Sequence, residues 1–158
     1  MGELVEDHLE ASLGTLYRDE GSRLWRAVFA FAHHVEVAND AVADAFAQCL
    51  YRGGAVRSPR AWVWKAAFRI AAGDLKERGR WRQLSDDRTY GIPEPSENLL
   101  QAIGQLSPHQ RAALVLRHYA GYDAKAVADI LGCSASTARV HLFRAVRRMR
   151  ELLEANDD

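Results

Sequence analysis

Arginine crowds one stretch near the end of this 158-residue sequence: Arg139, Arg144, Arg147, Arg148 and Arg150 stand between residues 139 and 150 with no acid among them. A guanidinium is a planar, permanently charged fork that fits a phosphate or the edge of a guanine. Just upstream, Ser134, Ser136 and Thr137 offer hydroxyls, and His141 sits among the arginines. Such a set can grip a nucleic-acid backbone and read a few base edges. A second basic stretch, residues 52–82, carries nine bases against two acids, among them Arg57, Arg60, Lys65, Arg69 and Lys76. Trp62, Trp64 and Trp81 are interleaved with these cations, a combination suited to unpaired bases and their backbone. Residues 1–51 are the reverse, nine acids against three bases. The formal net charge of +0 therefore conceals a segregation along the chain that phosphate binding requires.

Other chemistries find no residues to carry them. His33 and His34 are adjacent, so on a helix they face different ways, and no third ligand stands at metal spacing. There is no phosphate-cradling glycine loop, nucleophile elbow or convergent acid pair, which argues against an enzyme and against a cofactor. Cys49 and Cys133 lie far apart within apolar helical patterns and read as reduced core thiols. The acidic N-terminus and the lack of any run of eighteen apolar residues point to a cytoplasmic protein. With 48% hydrophobic and 27% charged residues, the composition is that of a chain that folds.

The elements that must position these groups are helices. Apolar residues recur at three- and four-residue steps through 9–51, including Val42, Ala45, Phe46, Cys49 and Leu50. Asp40, Asp44 and Gln48 then form a polar stripe on the other side of that helix. Gly53-Gly54 breaks the pattern, and Ser58-Pro59 caps and starts a helix over about 59–78. Residues 85–98, with two prolines and hardly any apolar residue, read as a flexible acidic linker. Short helices follow over 99–106, from Ser107-Pro108 to Gly121, and over 124–131. The helix from 107 carries Ala112, Val115, Leu116 and Tyr119 on its apolar side, and a last helix runs from about 136 to 153. No strand-like alternation and no repeat occurs, so the expected fold is all-α, in two small helical domains.

Within the second domain, the 124–131 helix, Gly132 and the following helix have the pattern of a helix-turn-helix. Val127, Ile130 and Leu131 form one inward face, and Ala138, Leu142, Ala145 and Met149 the other. That leaves Ser134, Ser136, Thr137, Arg139, His141 and Arg144 outward, with Arg147 and Arg148 continuing the charge along a backbone path. A merely solvated arginine face is the bland alternative.

The string LSPHQRAALVLRHYAGY at 106–122, followed by this helix-turn-helix, closely resembles region 4 of the extracytoplasmic-function (ECF) sigma factors of the sigma-70 family. Regulators of the LuxR type share a similar helix-turn-helix, so the N-terminal half decides. There Leu16 to Phe31, NDAVADAF at 39–46 and RAWVWKAA at 60–67 resemble sigma region 2 in order and spacing. The resemblance implies a sigma factor that directs bacterial RNA polymerase to promoter DNA, with three parts. Residues 1–84 would bind the polymerase core and the −10 element, 85–98 would be the linker, and 99–158 would read the −35 element.

By the same resemblance Asp40, Asp44 and Gln48 dock on the clamp helices of the largest polymerase subunit. Arg57, Arg60, Trp64, Lys65, Arg69 and Lys76 meet the −10 region. Ser134, Ser136, Thr137, Arg139, His141, Arg144, Arg147 and Arg148 meet the −35 element, and an anti-sigma factor is an implied partner. Ala43 stands where a glutamine is usual and Arg69 where an asparagine is. Those departures keep open a plain helix-turn-helix regulator, or a sigma-like mimic that opens no promoter. Trp62, in phase with Ala66 and Ile70, is expected in the core, and Trp64 at a surface where it could stack on a base.

Overall fold

The computed structural model describes residues 2–77 and 97–156, and among them every regular element is helical. Seven helices follow in order: α1 Gly2–Ala32, α2 Val35–Arg52, α3 Pro59–Glu77, α4 Glu97–Gln105, α5 Pro108–Leu114, α6 Ala124–Leu131 and α7 Ala135–Asn156. The 59–78 and 124–131 helices of the sequence reading are α3 and α6. The proposed linker lies outside the described residues except for Glu97 and Asn98, which belong to α4. Trp81, Arg78, Arg80 and Arg82 also lie outside them. None of the described helices is long and apolar enough to cross a membrane.

Local chemistry accounts for the breaks. The expected long helical run divides at His33, whose φ of +53 reverses the chain and ends α1. His34 then caps α2, its Nδ1 accepting the Val37 N–H at 3.2 Å. Gly53, at φ +63, closes α2 into a single 3-10 turn over Gly53–Ala55. Ser107 Oγ accepts the Gln110 N–H at 3.3 Å with proline in the first turn, which starts α5.

The helix begun by α5 continues over Val115–Tyr119 as a π turn. The wider turn shifts the phase, so Val115 and Leu116 stay buried while Tyr119 swings outward. Its expected inward position is thereby corrected.

Leu24, Val28 and Phe31 of α1 pack on Val37, Ala41, Ala45 and Cys49 of α2 and on Val63, Ala67, Phe68 and Leu75 of α3. The same apolar cluster runs on without interruption into Ala112, Leu116, Val127, Ile130 and Ala138 of the C-terminal helices. A second cluster, Ala102, Ile103, Leu106, Ala145 and Met149, fastens α4 to α7. Both cysteines are free thiols, and burial raises the pKa of each. Losing one of the fully buried leucines to alanine costs about 2–5 kcal/mol at such positions.

Candidate nucleic-acid interface

The helix-turn-helix is built from two capped helices and one glycine. Asp123 Oδ1 accepts the Ala126 N–H at 2.8 Å and starts α6. Gly132, left-handed at φ +72, ends it. Ser134 Oγ accepts the Thr137 N–H at 3.1 Å and starts α7. Ser134 Oγ also lies 2.9 Å from Thr137 Oγ1 and 3.1 Å from Ser136 Oγ. The three hydroxyls thus hold one another at the N-terminus of the helix, and Ser134 is committed to capping.

Along α7, Ala138, Ala145 and Met149 are buried and Leu142 half-buried, while Ser136, Thr137, Arg139, Arg144, Arg147 and Arg148 face solvent. Arg147 and Arg148 share Glu151, at 3.7 and 3.3 Å. Arg139 and Arg144 have no ion-pair partner among the described residues. Two exposed cations with no ion pair to break among the described residues are what a phosphate or a guanine edge meets at lowest cost.

His141 is only half-exposed. Its ring stacks on that of His109 from α5, with centroids 5.3 Å apart. Burial, then the His109 and Arg144 charges, lower its pKa.

Two apolar residues share the exposed face of α7: Val140, which stands where the sequence resemblance leads one to expect a small polar residue, and Phe143, 68% exposed and not anticipated from sequence. Their signal was available, since both fall out of phase with the buried 138, 142, 145 and 149 positions. Apolar side chains there can meet a thymine methyl.

The acidic stripe of the N-terminal half is also outward. Asp40, Asp44 and Gln48 lie exposed on α2 beside Ala43 and Ala47. Tyr51 ends the row at 93% exposure, and Tyr17 of α1 stands edge-on to Phe46 at 5.3 Å. Neither tyrosine had been singled out from sequence.

The two tryptophans of α3 exchange the places expected of them. Trp64 is 5% exposed, in phase with Val63, Ala67, Phe68, Ala71 and Leu75. Its Nε1 donates to Glu20 Oε2 at 3.4 Å, and the guanidinium groups of Arg23 and Arg60 lie 5.6 and 5.8 Å from its ring centroid. Arg60 is itself paired with Glu20 at 2.8 Å. An exposed, base-stacking Trp64 is therefore not present in this arrangement, because its face of α3 is the one that packs.

Trp62 is half-buried and open to one side. It lines a recess of about 340 Å³ together with Arg52, Val56, Arg57 and Lys65, with the Arg52 guanidinium 5.6 Å from its ring centroid. Arg69 and Lys76, further along α3, line a separate cleft of about 590 Å³. The six cationic and aromatic candidates of α3 and its preceding loop are thus divided between a recess, a buried ring and a cleft.

Comparison with known proteins gives this geometry a context. Residues 96–149 match the family model described as sigma-70, region 4. The chain is 32% identical to the RNA polymerase sigma-E factor of Streptomyces avermitilis over 130 residues, 70% of this chain and 73% of that protein. It is 24% identical to the RNA polymerase sigma factor SigV of Bacillus subtilis over 157 residues, 94% and 95% of the two chains. Two solved structures share the fold. One is the sigma factor RpoE in complex with the anti-sigma factor NepR from Bartonella quintana, with a TM-score of 0.63 at 22% identity over 84% of this chain and 90% of that one. The other is CnrH in complex with the cytosolic domain of CnrY, with a TM-score of 0.62 at 21% identity over 98% and 95%.

Proposed function

Because the chain belongs to the extracytoplasmic-function sigma factors of the sigma-70 family, and so directs bacterial RNA polymerase to promoters and initiates transcription, we propose how its surfaces divide that work. The observation that carries the division is the outward face of α7, where Arg139 and Arg144, with no ion-pair partner among the described residues, stand beside Val140 and Phe143. That helix reads the −35 element in the major groove, Arg139 and Arg144 supplying the forked donors and Arg147 and Arg148 the phosphate contacts. Thr137 and Ser136 approach the backbone at the helix N-terminus, where aligned N–H groups favour an anion. Ser134 and His141 act one step back, the first by capping α7 and the second by bracing it on α5.

Residues 1–84 serve the polymerase and the −10 element. The α2 stripe of Asp40, Asp44 and Gln48 docks on the core enzyme, with Tyr51 and Tyr17 adding apolar contact at its edges. An unstacked base of the −10 strand enters the recess at Trp62, whose ring and surrounding Arg52, Arg57 and Lys65 suit a π-face with a phosphate beside it. Arg60, Arg69 and Lys76 follow the single-stranded backbone. The protein works in the cytoplasm, alongside polymerase.

An anti-sigma factor is carried over as a partner class from the two solved neighbours. An apolar groove of about 590 Å³ between α1 and the C-terminal helices, lined by Ala30, Leu99, Ile103, Leu114, Val115 and Met149, supports it.

The experiment is co-elution with core RNA polymerase, followed by permanganate footprinting on genomic promoter fragments. A stable complex that melts a specific promoter is the expected result. Failure to bind core, with duplex binding retained, removes the polymerase-docking assignment.

A further inference from the structure

The apolar groove between α1 and the C-terminal helices, about 590 Å³ in volume, has the size of a small-molecule site. Ala30 of α1, Ile103 of α4, Val115 at the π turn and Val146 and Met149 of α7 line it. Ile103, Val115 and Met149 also belong to the two core clusters, so these parts of the lining are fixed by the packed interior.

The charge of the groove is one-sided. Arg26 of α1, His118 and Arg150 line it against a single acid, Glu154. Neither arginine has an ion-pair partner among the described residues. Arg26 is the more constrained of the two, because its Nε is shut from solvent and makes no hydrogen bond. A guanidinium with a dry, unpaired donor is short of solvation, so it gains more from an incoming anion than an arginine on the open surface does.

The π turn over Val115–Tyr119 is a third feature of the same place, since it presents His118 and Tyr119, both exposed, to the groove. Single wide turns of this kind within helices are frequent at functional sites. None of the groove's residues belongs to the α2 stripe, the Trp62 recess or the Arg139 and Arg144 set.

We propose that this groove binds a small amphipathic anion, an unbranched aliphatic carboxylate, with its chain along Ile103, Val115 and Met149 and its carboxylate on Arg26. The inference goes beyond the sigma-factor reading. A guanidinium meets a carboxylate through two parallel N–H bonds, and His118 and Arg150 offer further donors. Two guanidiniums less the Glu154 carboxylate leave one positive charge, which matches a carboxylate rather than a phosphate dianion. The chain adds affinity by leaving water. Occupied, the groove is closed to a protein helix laid over the same residues, so the ligand and a protein partner exclude one another there.

The first test needs no substitution. Calorimetric titration of the full chain with hexanoate, octanoate and decanoate should show affinity rising about fourfold for each methylene buried. Decanol, with the same chain and no charge, should bind about tenfold more weakly than decanoate. Amide NMR shifts on adding decanoate should centre on Ile103, Val115, Val146 and Met149. No saturation by decanoate below about 1 mM overturns the proposal, as do shifts centred elsewhere. Decanol binding as tightly as decanoate overturns the anion site.

Arg26→Gln should weaken decanoate about tenfold and leave decanol unchanged, and Val146→Trp, which fills the groove, should abolish both. Glu154→Gln, which removes the acid, should tighten decanoate rather than weaken it. Circular dichroism checks the fold of each variant, and Arg150→Gln, at an exposed position, carries the charge test if Arg26→Gln does not fold. Undiminished decanoate binding by both arginine variants overturns the proposal. A chain that takes up no decanoate but forms a dimer that Val146→Trp abolishes gives the groove to a second copy, which overturns it too.

Discussion

Arg111 reaches across eighty positions of sequence to cap α1: its Nε donates at 3.1 Å to the carbonyl of Phe31, the next-to-last residue of that helix. The last carbonyls of a helix have no acceptor role within it, and the negative end of the helix dipole favours a cation there. Burial lowers the Arg111 pKa to about 10, so the guanidinium is still charged at neutral pH. Arg111→Met should therefore lower stability by about 1.5–3 kcal/mol, the range for a hydrogen bond to a charged group. Urea unfolding followed by circular dichroism measures it. Unchanged stability would mean that the cost of burying the cation equals what the bond returns.

Trp62 and Trp64 separate packing from binding within one helix. Trp64→Ala should cost about 3–5 kcal/mol of stability, as for other buried large aromatic residues. Trp62→Ala should leave the fold largely intact and weaken single-stranded −10 oligonucleotide binding in the polymerase complex by about 1–3 kcal/mol. Equal affinity for wild type and Trp62→Ala would remove the recess as the base site.

Arg139→Ala should weaken −35 duplex binding by about 1–3 kcal/mol and relax selectivity at one base position. A selection from randomised duplexes reads both. Uniform loss across all sequences would reassign Arg139 to phosphate.

Asp44→Lys reverses one charge of the exposed α2 stripe without touching the core. Affinity for core polymerase should fall while duplex binding by α7 remains. Native co-elution and a duplex gel shift, run side by side, distinguish that outcome from general misfolding.

His141 gives a pH dependence with a definite sign. Its pKa in the folded protein lies below the ordinary 6.5, chiefly through burial and then through His109 and Arg144. Above pH 6.5 it is neutral in both states and contributes nothing. As pH falls through 6.5 the unfolded chain takes up the proton first, so stability declines, and the decline ends once the folded-state pKa is passed. His141→Gln should flatten that part of the curve. Urea midpoints at pH 7.5 and 5.5 for the two proteins make the comparison.

Much of this was legible in the residues alone. Helical periodicity located α3, α6 and α7 and the buried face of α2, though not the break between α1 and α2, because a 3.6-residue repeat of apolar side chains requires nothing beyond a surface to pack on. The cap at Ser107 and the turn at Gly132 act over three or four residues, so they too are written locally; Asp123 and Ser134 cap over the same range, although the sequence reading gave Ser134 to DNA. The outward sides of Arg139, Arg144, Asp40 and Asp44 follow from the same phase.

Other features were decided by distant chain. In α3 two apolar stripes compete, Trp62 with Ala66 and Ile70 against Trp64 with Ala67, Phe68 and Ala71. Phase alone could not rank them. Glu20, Arg23, Phe31 and Tyr122, from α1 and the C-terminal half, close over the second stripe. The π turn that rotates Tyr119 leaves no mark in composition, and the stacking of His141 on His109 joins residues from two helices. That Arg111 is a buried cap rather than one more basic surface residue depends on where α1 ends relative to α5. Local propensity set the helices and the faces they offer; long-range packing chose which of those faces the chain covers and which it leaves for DNA and polymerase.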